Sequence, residues 1–338
     1  MLPGTSMTVL YLILWLLVIL FSAELFTNSV EWFGRRFSLG EGAVGSVLAA
    51  VGTALPETVL PIMALAVLGG SAGHDISVGA IVGAPFMLSS LAMFVTGAAV
   101  IGFSLSGRRP LKVTVNETVS RRDLSHFLRS YVLVMVAGVV HVRILHWVLA
   151  ALLVGLYAWY VYETLKEEGD LGGESKPLYF HRGHAPHLPR VWRIVAQLVV
   201  SLAGIVVGAQ FFVGQVRNAA TARGASPLLV ALLVAPVATE LPEKFNSVIW
   251  IRARKDTLAL GNITGAMVFQ STFPVSIGLL FTTWRLPFTA LFSGMLALVS
   301  GTVFYVTLRV RHTLTWWSLA GAGSMYAVYL VYALAFGH

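Results

Sequence analysis

The sequence predicts an all-α polytopic membrane protein, with ten transmembrane helices in two inverted five-helix repeats. Three observations carry that expectation. The 338-residue chain is 57% hydrophobic and only 11% charged, where a soluble domain has about twice that charge fraction. Its apolar runs match the roughly 20 residues that cross a bilayer as a helix. The polar features of its first half return, at matched spacing, in its second.

The first span covers about 7–27. Its run Met7–Ser22 follows no basic region and precedes no small-x-small cleavage site, so it reads as a retained helix rather than a signal peptide. The second and third, 40–69 and 75–104, are long and carry Gly, Pro or polar residues at their centres, so broken or tilted helices are expected. The fourth and fifth, 126–142 and 144–163, rest on the runs Val132–Val142 and Leu145–Val161. Residues 164–190 are polar, with Gly169, Gly172, Gly173, Pro177, Pro186 and Pro189, and read as a linker between units 1–163 and 191–338. The sixth span is 191–216. The seventh and eighth, 226–252 and 257–283, are again long and interrupted. The ninth and tenth are 286–308 and 313–336, with Trp284 and Trp316-Trp317 placed as interfacial belt residues.

Five spans per half is an odd number, so the second repeat must start from the opposite side. Loop charge agrees. Of the 23 Lys and Arg, eighteen fall in the odd-numbered loops, four in the even-numbered ones, and Lys244 is intramembrane. The positive-inside rule then makes the odd loops cytoplasmic and puts both termini outside. A bacterial or archaeal plasma membrane is expected from the compact loops. The net charge of +8 is loop charge rather than a basic, aromatic-studded domain, so nucleic acid is not an expected partner. The absence of cysteine excludes disulfides, thiolate metal sites and cysteine nucleophiles. Asn116-Glu117-Thr118 is a formal glycosylation sequon, but it lies on the cytoplasmic side. The oligomeric state stays open.

The repeat has chemical content. Gly52-Thr53-Ala54-Leu55-Pro56-Glu57 reappears as Val237-Ala238-Thr239-Glu240-Leu241-Pro242-Glu243. Glu24 precedes Glu57 by 33 residues, as Gln210 precedes Glu243. Gly79-Ala80-Ile81-Val82-Gly83-Ala84 matches Gly261-Asn262-Ile263-Thr264-Gly265-Ala266. These glycines read as close-packing positions. A carboxylate beside a proline, twice inside hydrocarbon, is costly and points to a transport site at the repeat interface. Proline withholds an N–H, so unpaired carbonyls at that depth are available to a cation.

These motifs resemble the repeat of the calcium/cation antiporter superfamily, the sodium/calcium exchangers, whose pattern is Gly-Thr-Ser-x-Pro-Glu followed by Gly-Asn-x-x-Gly-Ser. The chain looks like a divergent member. The resemblance implies secondary-active antiport of calcium against sodium or protons by alternating access, with Glu57 and Glu243 as the metal ligands. It adds Gln270, Thr53 and Thr239 as ion-binding groups, and makes Glu24 and Gln210 gating candidates on helices that slide past the core. It implies inorganic cations and the lipid bilayer as partners, no cofactor beyond the transported ions, and no catalytic residue. The departures are Ala54 and Glu240 for serine, Ala80 for asparagine, Ala84 and Ala266 for serine, and Leu88 where the second half has Gln270.

Calcium takes six to eight oxygens. Glu57, Glu243 and Gln270 give about five or six if both carboxylates are bidentate, and carbonyls and threonine hydroxyls could add more. Glu240 and Lys244 are four apart with the acid first, the favourable helical order, so they are expected to pair and tune the site's charge. The competing pairing is Lys244 with Glu243. Two other readings keep weight: a proton-coupled carrier of another cation on the same fold, and an intramembrane acid protease, for which matched repeats are not expected.

Overall fold

The computed structural model describes residues 5–63, 70–166, 171, 176–181, 188–221 and 240–336. The elements are helical throughout. α1 is Thr5–Arg36; a π-helical stretch, Ala43–Ala49, leads into α2, Ala50–Met63. α3, Gly70–Met87, passes through a π turn at Leu88–Ala92 into α4, Met93–Leu105. α5 is Glu117–Val139, α6 Arg143–Lys166 and α7 Val191–Thr221. α8, Leu241–Arg252, and α9, Asp256–Gln270, are followed by α10, Phe273–Phe281, and α11, Phe288–Arg311. The chain ends with α12, Trp316–Gly321, and α13, Gly323–Phe336.

The interrupted spans break where the sequence is least able to hold a straight helix. In the third span Pro85 lies inside α3 and the π turn follows at Leu88. In the eighth, α9 stops at Gln270, and α10 restarts with Pro274 in its first turn. Leu88 and Gln270 stand five residues after Gly83 and Gly265, so both halves break at one register. The fourth span starts nine residues before the expected 126. Arg121, Arg122 and Asp123 look like loop, yet Asn116 caps α5 by accepting from Thr118 N and Val119 N, and the helix runs through all three.

α1 and α7, the first helices of the two repeats, pack against each other. Trp15 stacks on Phe211 at 4.5 Å between centroids. A Cβ on Gly208 would lie 2.9 Å from Ile19 Cγ1, and one on Gly204 2.3 Å from Ser22 Oγ. Contacts that rise along α1 fall along α7, so the helices run antiparallel, as inverted repeats require.

The core crosses where the π stretch meets α9. A Cβ on Gly265 would come 2.0 Å from the Ser46 carbonyl oxygen, and one on Gly261 2.8 Å from Ser46 Oγ. Only glycine permits that approach. The first-repeat copies differ: among the described residues, Gly79 and Gly83 meet nothing within 4 Å. The connection between the repeats folds back on α1. Asn28 Nδ2 and Trp32 Nε1 donate to Lys176 O at 3.1 and 2.9 Å, and Gln197 of α7 accepts from Phe180 N at 3.0 Å. We call this the linker end.

Candidate ion-binding site

α8 begins at the second repeat motif. Pro242 occupies its first turn, where a missing N–H costs nothing, and Glu243 sits in that same turn. A carboxylate there meets the positive end of the helix dipole. Glu243 is fully buried, and neither of its oxygens has a hydrogen-bond partner among the described residues. Gln270, the last residue of α9, is 2% exposed, and its amide oxygen and nitrogen also lack partners among the described residues. Buried polar atoms normally find partners, so these four are unusual.

Asn262 ties the two repeat helices together. Its Nδ2 donates to Glu243 O at 3.3 Å, and its Oδ1 accepts from Thr53 Oγ1 at 3.3 Å. Thr53 Oγ1 has one proton and three acceptors in reach, Ala49 O and Ala50 O being the others. Thr53, Asn262 and Glu243 are therefore brought together from α2, α9 and α8. Glu57 falls in α2, four residues beyond Thr53, but its side chain lies outside the described residues. Thr239 lies wholly outside them.

Lys244 pairs with Glu240, its Nζ 2.9 Å from Oε2, with side-chain exposures of 5% and 1%. Each charge alone would cost roughly 2.5–3.5 kcal/mol at the midplane. Together they cancel, and Glu243 has no ion-pair partner among the described residues. The gating candidates are placed less centrally. Glu24 accepts from Lys176 Nζ at 2.5 Å and from Tyr179 OH at 3.1 Å, so its carboxylate is engaged by the linker. That hydrogen bond holds the Lys176 amine above its ordinary range. Gln210 is exposed on the outer surface of α7.

Sequence reading missed three buried acids: Asp123, Glu31 and Asp256, the last paired with Arg109 at 2.7 Å. Asp123 on α5 is fully buried. Its Oδ2 accepts from Ser46 Oγ at 2.6 Å and from Thr264 Oγ1 at 2.7 Å, and its Oδ1 from Tyr160 OH at 3.0 Å. It thus bonds α9, α6 and the π stretch at the glycine crossing. The available signal was helical spacing, since Asp123 falls on the buried stripe of Val119, Leu124, Phe127 and Tyr131. Glu31 on α1 accepts from Trp250 Nε1 at 2.9 Å and from Lys255 Nζ at 2.5 Å, joining α1 to the linker end of α8. Its helix runs nine residues past the expected end of the first span, to Arg36.

The model of the family described as sodium/calcium exchanger protein matches residues 7–166 and 193–335. An uncharacterised membrane protein of Methanocaldococcus jannaschii is 22% identical over 271 residues, 80% of this chain and 81% of its own. A candidate antiporter of Alkalimonas amylolytica, CaxA, is 22% identical over 286 residues, 80% of this chain and 79% of its own. Among solved structures, the sodium-calcium exchanger NCX_Mj soaked with 2.5 mM Na+ and 1 mM Sr2+ aligns with a TM-score of 0.75 at 19% identity, covering 98% of this chain and 99% of that one. The same exchanger without Na+ and Ca2+ gives 0.74 at 20% identity, covering 97% and 98%. That likeness shows the fold: ten helices in inverted repeats.

Proposed function

The chain belongs to the sodium/calcium exchanger protein family and is a membrane-embedded cation antiporter, not an enzyme; from that premise we propose that it exchanges calcium for sodium or protons at a midplane site built on Glu57 and Glu243. The observation that carries this reading is the Glu243 carboxylate, buried with both oxygens unpartnered among the described residues, beside an internally neutralised Glu240–Lys244 pair. A bound cation supplies what those oxygens lack. Gln270 and Thr53 add neutral oxygens, and Thr239 is the second-repeat counterpart of Thr53.

Coupling follows from competition. Calcium and its counter-ion use the same carboxylates, so neither a doubly loaded nor an empty site crosses easily. The antiparallel pair α1 and α7 slides to expose the site to one side at a time, with Glu24 and Gln210 travelling on it. Both termini face outward, and the linker end faces the cytoplasm. Residues 164–190 act as the connection between units 1–163 and 191–338.

Flux in proteoliposomes tests this. Calcium uptake driven by an outward sodium gradient, set against a pH gradient, identifies the counter-ion. Glu57→Gln and Glu243→Gln should each abolish uptake. Unchanged uptake in both sinks the site.

A further inference from the structure

We propose that Asn246 is a further ligand of the transported cation, supplying its amide oxygen to an ion held on Glu243. The inference rests on the two-glutamate reading and extends that site toward the linker end.

Asn246 is fully buried, and neither its Oδ1 nor its Nδ2 has a hydrogen-bond partner among the described residues. It stands one turn beyond Glu243 on α8, at the three-residue spacing that makes side chains neighbours. Its described polar neighbours along α8 have partners of their own. Ser247 Oγ donates to Ala259 O at 3.0 Å, Trp250 Nε1 to Glu31, and Lys244 Nζ to Glu240. Glu243, Asn246 and Trp250 follow one another along a single side of α8, and that column ends at the Glu31–Lys255 pair. Within it, only Glu243 and Asn246 have polar atoms without partners.

An amide this deep is costly unless something coordinates it. A hard, oxygen-seeking cation suits both neighbours, since carboxylate and amide carbonyl are standard ligands for calcium and for sodium-like ions. The sequence gives an independent reason to expect a gained oxygen here. The offset of 186 between the glutamates puts Leu60 opposite Asn246, so the donor belongs to the second repeat alone. The first repeat has Leu88 where the second has Gln270. Donors lost from one repeat are offset by donors gathered in the other.

The test is equilibrium binding of radioactive calcium and sodium to the purified full chain, with melting temperature as a second readout. Glu243→Gln should weaken binding of the cations that the site holds. Asn246→Leu should weaken the same cations at least tenfold, yet raise the melting point of the ion-free protein by relieving the unpaired amide. Asn246→Asp, which keeps an oxygen in place, should hold calcium at least as tightly as the wild type. A cation lost in Glu243→Gln and unchanged in Asn246→Leu overturns the proposal alone. So does weakened binding in Asn246→Leu with a lowered melting point and no rescue by Asn246→Asp, the pattern of a structural residue. Binding that survives Glu243→Gln, or a wild type that binds neither ion, overturns the two-glutamate reading and the proposal with it.

Discussion

Lys244 and Glu240 form a buried ion pair one helical turn apart, 2.9 Å from Nζ to Oε2, immediately beside Glu243. Removing one partner strands a charge, whereas removing both leaves a neutral site. Lys244→Met alone should therefore destabilise the protein by about 3–5 kcal/mol, and the double variant with Glu240→Gln should recover most of it. Thermal melting of the three purified variants measures this directly. If Lys244 instead served Glu243, combination with Glu240→Gln would restore nothing.

Asp123 should prove the most sensitive structural acid. Asp123→Ala removes the acceptor of Ser46, Thr264 and Tyr160 at once. Thr264 and Tyr160 have fallback acceptors, Leu260 O at 3.0 Å and Ser46 O at 3.2 Å, so the three losses do not add fully. A cost of about 3 kcal/mol is expected, from one or two charged hydrogen bonds at 1.5–3 kcal/mol each. Asp123→Asn, which keeps one carbonyl acceptor, should cost less. Equal melting points for the two variants would refute this account.

What was legible follows the same physics. Hydrophobic length and loop charge are properties of long segments, so the ten spans and their inversion were readable from sequence. The Glu240–Lys244 pair was readable too, because both partners lie on one helix at a fixed spacing. Asp123 was not, because its partners come from three other elements and it follows two arginines that mimic a loop. Glu31 was hidden likewise, since Trp250 and Lys255 lie more than 200 positions away. The contrast between the glycine pairs was not legible either. Gly261 and Gly265 face Ser46, while Gly79 and Gly83 have no described neighbour within 4 Å, a difference that only tertiary packing creates.

The Glu31 contact should hold the linker end of α1 against α8. Glu31→Gln removes the ion pair with Lys255 and leaves a weaker acceptor for Trp250 Nε1. If α1 must slide for the site to open at that end, the variant shifts the equilibrium toward the open form. The chain has no cysteine, so Ser247→Cys would introduce a single thiol. Its labelling by a water-soluble thiol reagent applied from the linker side should rise about fivefold or more in Glu31→Gln, for a contact worth ~1 kcal/mol. Unchanged labelling means the contact does not restrain opening.

Gln270 offers the sharpest control of ion choice. It closes α9, at the helix end whose dipole favours cations, and stands where the first repeat has Leu88. A neutral amide contributes one oxygen and no charge. Gln270→Asp adds a carboxylate, and calcium sites tighten with ligand charge. Calcium affinity should rise about tenfold, while the ion-free protein should melt earlier because two carboxylates then share a buried site. Sodium, with half the charge, should gain less, so the calcium-to-sodium ratio of the binding constants should increase. Paired melting curves with and without calcium report both effects: the calcium-dependent rise in melting temperature should grow even as the ion-free value falls. A fall in both would place Gln270 away from the ion and make its unpartnered amide a packing defect instead.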